Sequence, residues 1–133
     1  MSVVFADTFY FLSLMNRTDR THARCIQFSQ EHRETIVTTA WVLVEVADAW
    51  SAPPQRIRAG GLLQELPRNP RFRIIPPTQS LLERGIEFYI DRRDKKWSLT
   101  DCISFVVMEN EGIREALTGD HDFEQAGFVA LLK

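Results

Sequence analysis

The sequence predicts an α/β domain in which a parallel sheet carries helices on both faces. Three observations predict this class. Short apolar or β-branched runs alternate with segments of helical periodicity along the whole chain. Proline and glycine punctuate the boundaries between them. Aspartates stand just after the first and fourth runs, where open parallel sheets present their ligand-binding edge.

Val3–Ala6 is apolar and ends at Asp7 and Thr8, and residues 9–14 continue at near-helical spacing, so a buried strand feeding a helix is expected. In His22–Glu31, Ala23, Ile26 and Phe28 recur among polar residues and predict an amphipathic helix. Thr35–Thr39 is β-branched enough for a second strand. Residues 40–50 then read as a helix that is apolar almost all round and therefore buried. Pro53 and Pro54 mark a new helix start, with Ile57, Leu62, Leu63 and Leu66 as its apolar side and Gly60 and Gly61 weakening it; Pro67 and Pro70 end it. Phe72–Ile75 is the third strand, stopped by Pro76 and Pro77, and Leu81, Leu82, Ile86, Phe88 and Tyr89 mark the next helix. A charged loop follows over 91–96. Residues 98–111 predict a helix with a wide apolar surface (Leu99, Cys102, Ile103, Phe105, Val106, Val107) that Gly112 stops. A short strand over 116–118, a turn or helix at His121–Gln125 and a last strand over 128–132 complete the alternation.

Composition bounds the function. With 133 residues, 44% of them hydrophobic, the chain suffices for one domain with a core and is short for two, so residues 1–133 are read as a single domain. A net charge of −2 argues against a protein that grips nucleic acid through bulk positive charge, but not against an enzyme that binds RNA locally. Charge-free stretches fall short of the roughly 18 apolar residues of a membrane helix. The opening segment lacks a basic start and carries Asp7, unlike a secretory signal, so a cytoplasmic location is expected. Cys25 and Cys102 belong to no Cys-x-x-Cys pair and are expected to be buried thiols; His22, His32 and His121 lack zinc-site spacing. Any metal would be held by oxygen.

Four acids stand out. Asp7 and Asp120 follow strands, with Asp122 two residues beyond. Glu45 interrupts the apolar helix over 40–50 on the side of Trp41, Val44 and Asp48, where an ionised carboxylate would be largely removed from water and would require a partner cation. Asp101 opens the helix over 98–111, where backbone amides favour negative charge. Each also has a purely structural reading: Asp7 as a helix N-cap, Ser98 with Asp101 as a capping box, Asp120 and Asp122 as turn residues, Glu45 as the partner of an arginine. The joint pattern decides between them. Carboxylates about 5 Å apart repel by roughly 3 kcal/mol at an effective dielectric near 20, so several at one sheet edge call for a hard divalent cation such as Mg²⁺ or Mn²⁺.

These positions resemble the PIN-domain ribonuclease family, in particular the VapC-type toxins of type II toxin and antitoxin pairs. The resemblance spans nearly the whole chain and is carried by Val4-Phe5-Ala6-Asp7-Thr8-Phe9, by Glu45 within 41–50, by Ser98-Leu99-Thr100-Asp101-Cys102 and by Leu117-Thr118-Gly119-Asp120-His121-Asp122-Phe123. Cys102 departs from the alanine of many relatives. The resemblance implies a three-layer α/β/α sandwich, with Asp7, Glu45, Asp101 and Asp120 as the catalytic acids, Thr118 as an accessory hydroxyl and Asp122 as an accessory acid. It further implies Mg²⁺ or Mn²⁺ as cofactor, held first by Asp7, Asp101 and Asp120, RNA as substrate, a homodimer, and a cognate antitoxin. Arg92, Arg93, Lys95 and Lys96 are candidate RNA contacts, with Trp97 able to stack on a base, although Asp91 and Asp94 interrupt the run and a solvated loop is the plainer reading. A stand-alone RNA-processing nuclease and a non-catalytic interaction module are the alternatives. Receiver and haloacid-dehalogenase-like phosphoryl-transfer domains fit poorly, because Phe9 stands where the phosphatase motif needs a second aspartate and no lysine but Lys133 follows a late strand.

Overall fold

The structure, a computed structural model, describes residues 2–31 and 33–133; His32, one of the three histidines considered above, lies outside the described residues. Five parallel strands form one sheet: β1 (Val3–Ala6), β2 (Thr35–Thr39), β3 (Phe72–Ile75), β4 (Glu115–Leu117) and β5 (Val129–Ala130), in the order β3-β2-β1-β4-β5. In β1, Val4, Phe5 and Ala6 are all fully buried, as a central strand covered on both faces requires. Its register sets Val4 opposite Ile36 and Phe5 between Val37 and Ala116.

Helices connect the strands: α1 (Thr8–Met15), α2 (His22–Glu31), α3 (Ala40–Ala49), α4 (Gln55–Glu65) with a 3₁₀ turn at Leu66–Arg68, α5 (Gln79–Asp91), α6 (Leu99–Glu111) and α7 (His121–Gln125). The Thr39 hydroxyl accepts the Val42 N–H at 3.1 Å and the Thr78 hydroxyl that of Leu81 at 3.2 Å; caps of this kind are worth about 1 kcal/mol each. Gly112 ends α6 with φ 68°, the left-handed conformation that glycine adopts without steric cost. Phe105 of α6 anchors the core beside the site. Its ring meets Trp97 edge-on at 5.1 Å and Phe123 at 4.9 Å, and stacks on Phe128 at 5.7 Å. Burying such a side chain contributes about 1.5–3 kcal/mol.

The chain runs outward from β1 through β2 to β3, then returns to build β4 and β5 on the opposite side of β1. The strand order therefore reverses between β1 and β4, and the crevice beyond their carboxyl ends is where an open α/β sheet binds ligands.

The α/β/α reading holds, with local corrections. α3 is not buried all round: Val42 and Val46 are, whereas Val44 is 59% exposed, because the helix packs with only one face on the molecule. The apolar side expected of α4 is only partly used. Leu66 is buried, Leu62 and Leu63 are half-buried, and Ile57 is 80% exposed on a peripheral helix. β4 ends one residue earlier than expected, since the Thr118 N–H turns back to the Ala116 carbonyl at 3.0 Å. β5 shrinks to two residues, although Leu131 and Leu132 still donate to the Ala116 and Thr118 carbonyls. Trp97 is buried and its indole N–H donates to Gln125 at 3.1 Å, so it is a core residue and not a stacking platform. Cys25 and Cys102 are free and buried as expected, and burial pushes both thiols up to about 11. Among the described residues no helix is long and apolar enough to cross a membrane.

Candidate active site

Strand β1 ends at Ala6, and the next residue, Asp7, occupies the N-cap position of α1 in an extended conformation. Its side chain does not cap the helix. Instead Asp7 Oδ2 accepts a 3.0 Å hydrogen bond from the Thr118 hydroxyl, just beyond β4 on the neighbouring strand. The same hydroxyl oxygen accepts the backbone N–H of Asp120 at 3.0 Å, so Thr118 ties the ends of β1 and β4 together. Asp120 caps α7 by accepting the Asp122 N–H at 2.9 Å. Between Thr118 and Asp120, Gly119 lies against the Phe9 ring; a Cβ there would stand 2.6 Å from Phe9 Cζ.

Asp101 reaches the crevice from the first turn of α6. The capping box is real: Ser98 Oγ accepts the Asp101 N–H at 3.0 Å, and Asp101 Oδ2 accepts the Ser98 N–H at 3.3 Å. Capping and site membership are thus compatible, because the cap fixes the carboxylate at the crevice. The oxygens of Asp101, Asp120 and Asp122 lie within 4.8 Å of one another. Asp7 and Glu45 flank this set. Glu45 is half-buried, less removed from water than the apolar surroundings of α3 imply, and it has a hydroxyl partner: Thr8 Oγ1 donates to Glu45 Oε1 at 2.5 Å.

The electrostatics report the crowding. Asp7 is 4% exposed, and desolvation, followed by the charges of Asp101 and Asp120, pushes its carboxyl up to about 7 against the stabilising Thr8 N–H and Thr118 hydroxyl. Desolvation likewise raises Asp101 to about 6, with Asp120, Asp122 and Glu45 adding to the effect and the Ser98 N–H opposing it. Asp122 is raised by desolvation and Asp120, while His121 and Lys96 pull it down. All five acids therefore share one field. The donor set is carboxylate oxygen, crowded enough to be costly when fully ionised, and it fits a hard divalent cation.

The remaining residues singled out in the sequence sit elsewhere. Arg92, Arg93 and Lys96 are exposed and Lys95 is half-buried, in the loop between α5 and α6. His22 Nδ1 pairs with the Ser13 carbonyl and His121 Nδ1 with Glu124, both outside the acid set. A separate apolar cavity of about 380 Å³, lined by Phe11, Leu14, Leu62 and Phe72 among others, contains none of these acids.

Residues 4–129 match the family model described as the PIN domain. The chain belongs to the PIN-domain family. PIN domains are metal-dependent nucleases that hydrolyse phosphodiester bonds. This PIN domain is 28% identical over 129 residues, 96% of each chain, to the 23S rRNA-specific endonuclease VapC20 of Mycobacterium tuberculosis. The crystal structure of that protein, described as a sarcin-ricin loop cleaving toxin, superposes with a TM-score of 0.88 at 27% identity over 98% of both chains. VapBC2 from Rickettsia felis, solved with a DNA fragment from its promoter, shares the fold at a TM-score of 0.66 and 13% identity, covering 96% of each chain. FitAcB from Neisseria gonorrhoeae does so at 0.65 and 15%, covering 96% of this chain and 94% of that one.

Sequence reasoning did not find two supports of the PIN site. The Thr8 hydroxyl that holds Glu45 had no signal beyond its place next to Asp7. Gly119 carried one, a glycine between a hydroxyl residue and an aspartate, but its contact with Phe9 is visible only in three dimensions.

Proposed function

We propose that this protein, read as one nuclease domain, is a metal-dependent endoribonuclease of the VapC type, the toxin of a type II toxin and antitoxin pair. The observation that carries the reading is the gathering of Asp101, Asp120 and Asp122 within 4.8 Å beside the buried Asp7, at the point where the strand order reverses. The relationship to VapC20 over nearly the full length of both chains supports it.

In this reading Asp7, Asp101 and Asp120 hold Mg²⁺ or Mn²⁺, with Asp122 and Glu45 completing the set directly or through water. The ion, when bound, supplies an activated water and neutralises charge that builds on the phosphate during in-line attack. The chain's own groups set the stage. Thr118 fixes the Asp7 carboxylate and the Asp120 backbone with one hydroxyl. Thr8 donates its hydroxyl to Oε1 of Glu45 and so holds that carboxylate in place. The capping box prevents Asp101 from swinging away. Cleavage leaves 5′-phosphate and 3′-hydroxyl ends. A homodimer acting in the cytoplasm and held in check by a cognate antitoxin completes the assignment.

The test is cleavage of RNA by the purified protein with Mn²⁺ or Mg²⁺, using a 23S rRNA sarcin-ricin stem-loop as the first substrate because a relative cleaves that element. Cleavage that chelator and Asp7→Asn both abolish is expected. Cleavage that survives both changes rejects the site; absence of cleavage on every RNA tried rejects the enzyme.

A further inference from the structure

The four basic residues at 92, 93, 95 and 96 are not a featureless solvated loop. A cavity of about 380 Å³ opens between the end of α5 and the start of α6, bounded by Tyr89, Arg92, Arg93, Lys95, Lys96 and Cys102, with no carboxylate in its lining. The chain has sixteen lysines and arginines and a net charge of −2, yet it places four of those cations around one hollow. Like charges so close repel, and the arrangement suits an anion.

Local packing holds two of them. The Arg92 guanidinium lies 5.1 Å from the Phe88 ring centre and 6.0 Å from that of Trp97, and Lys95 Nζ lies 5.8 Å over Trp97 while pairing with Asp94 at 3.3 Å. The buried Trp97 thus serves as the floor on which these cations rest. Arg93 and Lys96 are exposed and make no ion pair among the described residues. On the cavity wall Tyr89 is 52% exposed, a large aromatic ring facing water beside four cations. Cations that track a phosphate backbone, interleaved with a ring on which a base stacks, are the pattern of single-stranded nucleic-acid binding.

The hollow also adjoins the acids. Cys102, in its lining, directly follows Asp101, and the Lys96 charge is felt by Asp122. The hollow and the acid cluster therefore meet at the first turn of α6. We propose that the cavity between α5 and α6 is the binding site for an RNA nucleotide flanking the bond that is cut, its phosphate held by Arg93 and Lys96 and its base stacked on Tyr89. The assignment rests on the nuclease reading above and deepens it: the acids cut, and this hollow holds the strand in register.

The experiment measures binding and cleavage separately. Affinity of the intact protein for a short fluorescein-labelled single-stranded RNA is followed by anisotropy in chelator across a salt series, for the wild type, Arg93→Glu with Lys96→Glu, Tyr89→Ala, and a control charge reversal at the exposed Arg68. Losing two phosphate contacts should lower the slope of log affinity against log salt by about 1.4, since each contact to a single strand contributes about 0.7. Tyr89→Ala should weaken binding about five- to a hundredfold with little change of slope, because stacking is not a counterion effect. Arg68→Glu should leave both unchanged. In cleavage with Mn²⁺, the hollow variants should raise KM for RNA far more than they lower kcat. Unchanged affinity and slope in the charge-reversed protein overturn the proposal. So does an altered mass in solution with unaltered RNA affinity, which would make this face a contact between copies. If the wild type binds RNA but cuts none, the nuclease reading falls, while the slope and the Tyr89 result still decide the hollow.

Discussion

The Thr118 hydroxyl donates to Asp7 Oδ2 across 111 residues of chain and accepts the Asp120 N–H in return. One fully buried side chain thereby joins two strand ends and two acids. Thr118→Val keeps the shape and removes both bonds. It should destabilise the metal-free protein by about 1–3 kcal/mol, the cost of leaving buried polar groups without their hydrogen bonds, and should weaken Mn²⁺ binding. Urea denaturation in chelator and a metal titration measure the two, and Thr118→Ser should restore both. A valine variant as stable and as tightly metallated as the wild type would show the hydroxyl to be incidental.

Asp7 makes stability depend on pH in an unusual direction. Its folded-state carboxyl lies at about 7, above the ordinary aspartate value of 3.8, so the fold binds the proton more tightly than the unfolded chain does. The neutral acid is fully accommodated below pH 4, and stability is lost as pH rises toward 7. Asp7→Asn removes that loss. The variant should gain on the wild type between pH 4 and 8, by a total on the order of a few kcal/mol, when both are unfolded by denaturant in chelator. A gap that narrows or stays flat with rising pH would mean that the buried carboxylate has a compensation not accounted for.

Divalent cations should reverse this penalty. At a concentration 100 times its dissociation constant, an ion bound only by the folded state stabilises it by about 2.7 kcal/mol. Mn²⁺ should therefore raise the melting temperature of the wild type, and Asp101→Asn or Asp120→Asn should abolish most of the rise. Asparagine still offers an acceptor for the helix caps at both positions, so the fold itself should persist. Equal shifts in all three proteins would place the ion elsewhere.

Gly119→Ala tests the approach to Phe9. A Cβ 2.6 Å from the ring forces Phe9 or the Asp120 segment to move, and overpacking of this kind costs about 1–3 kcal/mol. Because Asp120 is the next residue, RNA cleavage should fall more than stability does. Phe9→Leu in the same chain should recover part of both, as read by kcat and by denaturation midpoint. No recovery would assign the defect to the backbone rather than to the ring.

Much of this was written into local sequence. The alternation of runs locates all five strands, because a parallel sheet buried on both faces demands apolar or β-branched stretches between helices. The capping box at Ser98 and the Gly112 stop are local chemistry and appear where the sequence puts them. Exposure is different in kind. Whether α3 and α4 lie on the surface depends on which neighbours reach them, so Val44 and Ile57 are apolar yet open to water. The same limit applies to the acids: strand ends predict that they meet, but that Asp122 joins Asp101 and Asp120 in the tight set while Asp7 sits beside it follows from the cap geometry of α7. Tyr89, which the sequence offered only as one of the apolar marks of a helix, forms the exposed wall of a hollow because α5 turns that side outward.

Strand β4 pairs with β1 although more than a hundred residues separate them, and the acids on either side of that seam come from opposite ends of the chain. A ribosome that has released only the first three strands has made a polypeptide with Asp7 and Glu45 but without Asp120 or Asp122. Such a nascent chain also lacks Asp101, so the acids that the fold gathers cannot meet until β4 and the turn after it have emerged.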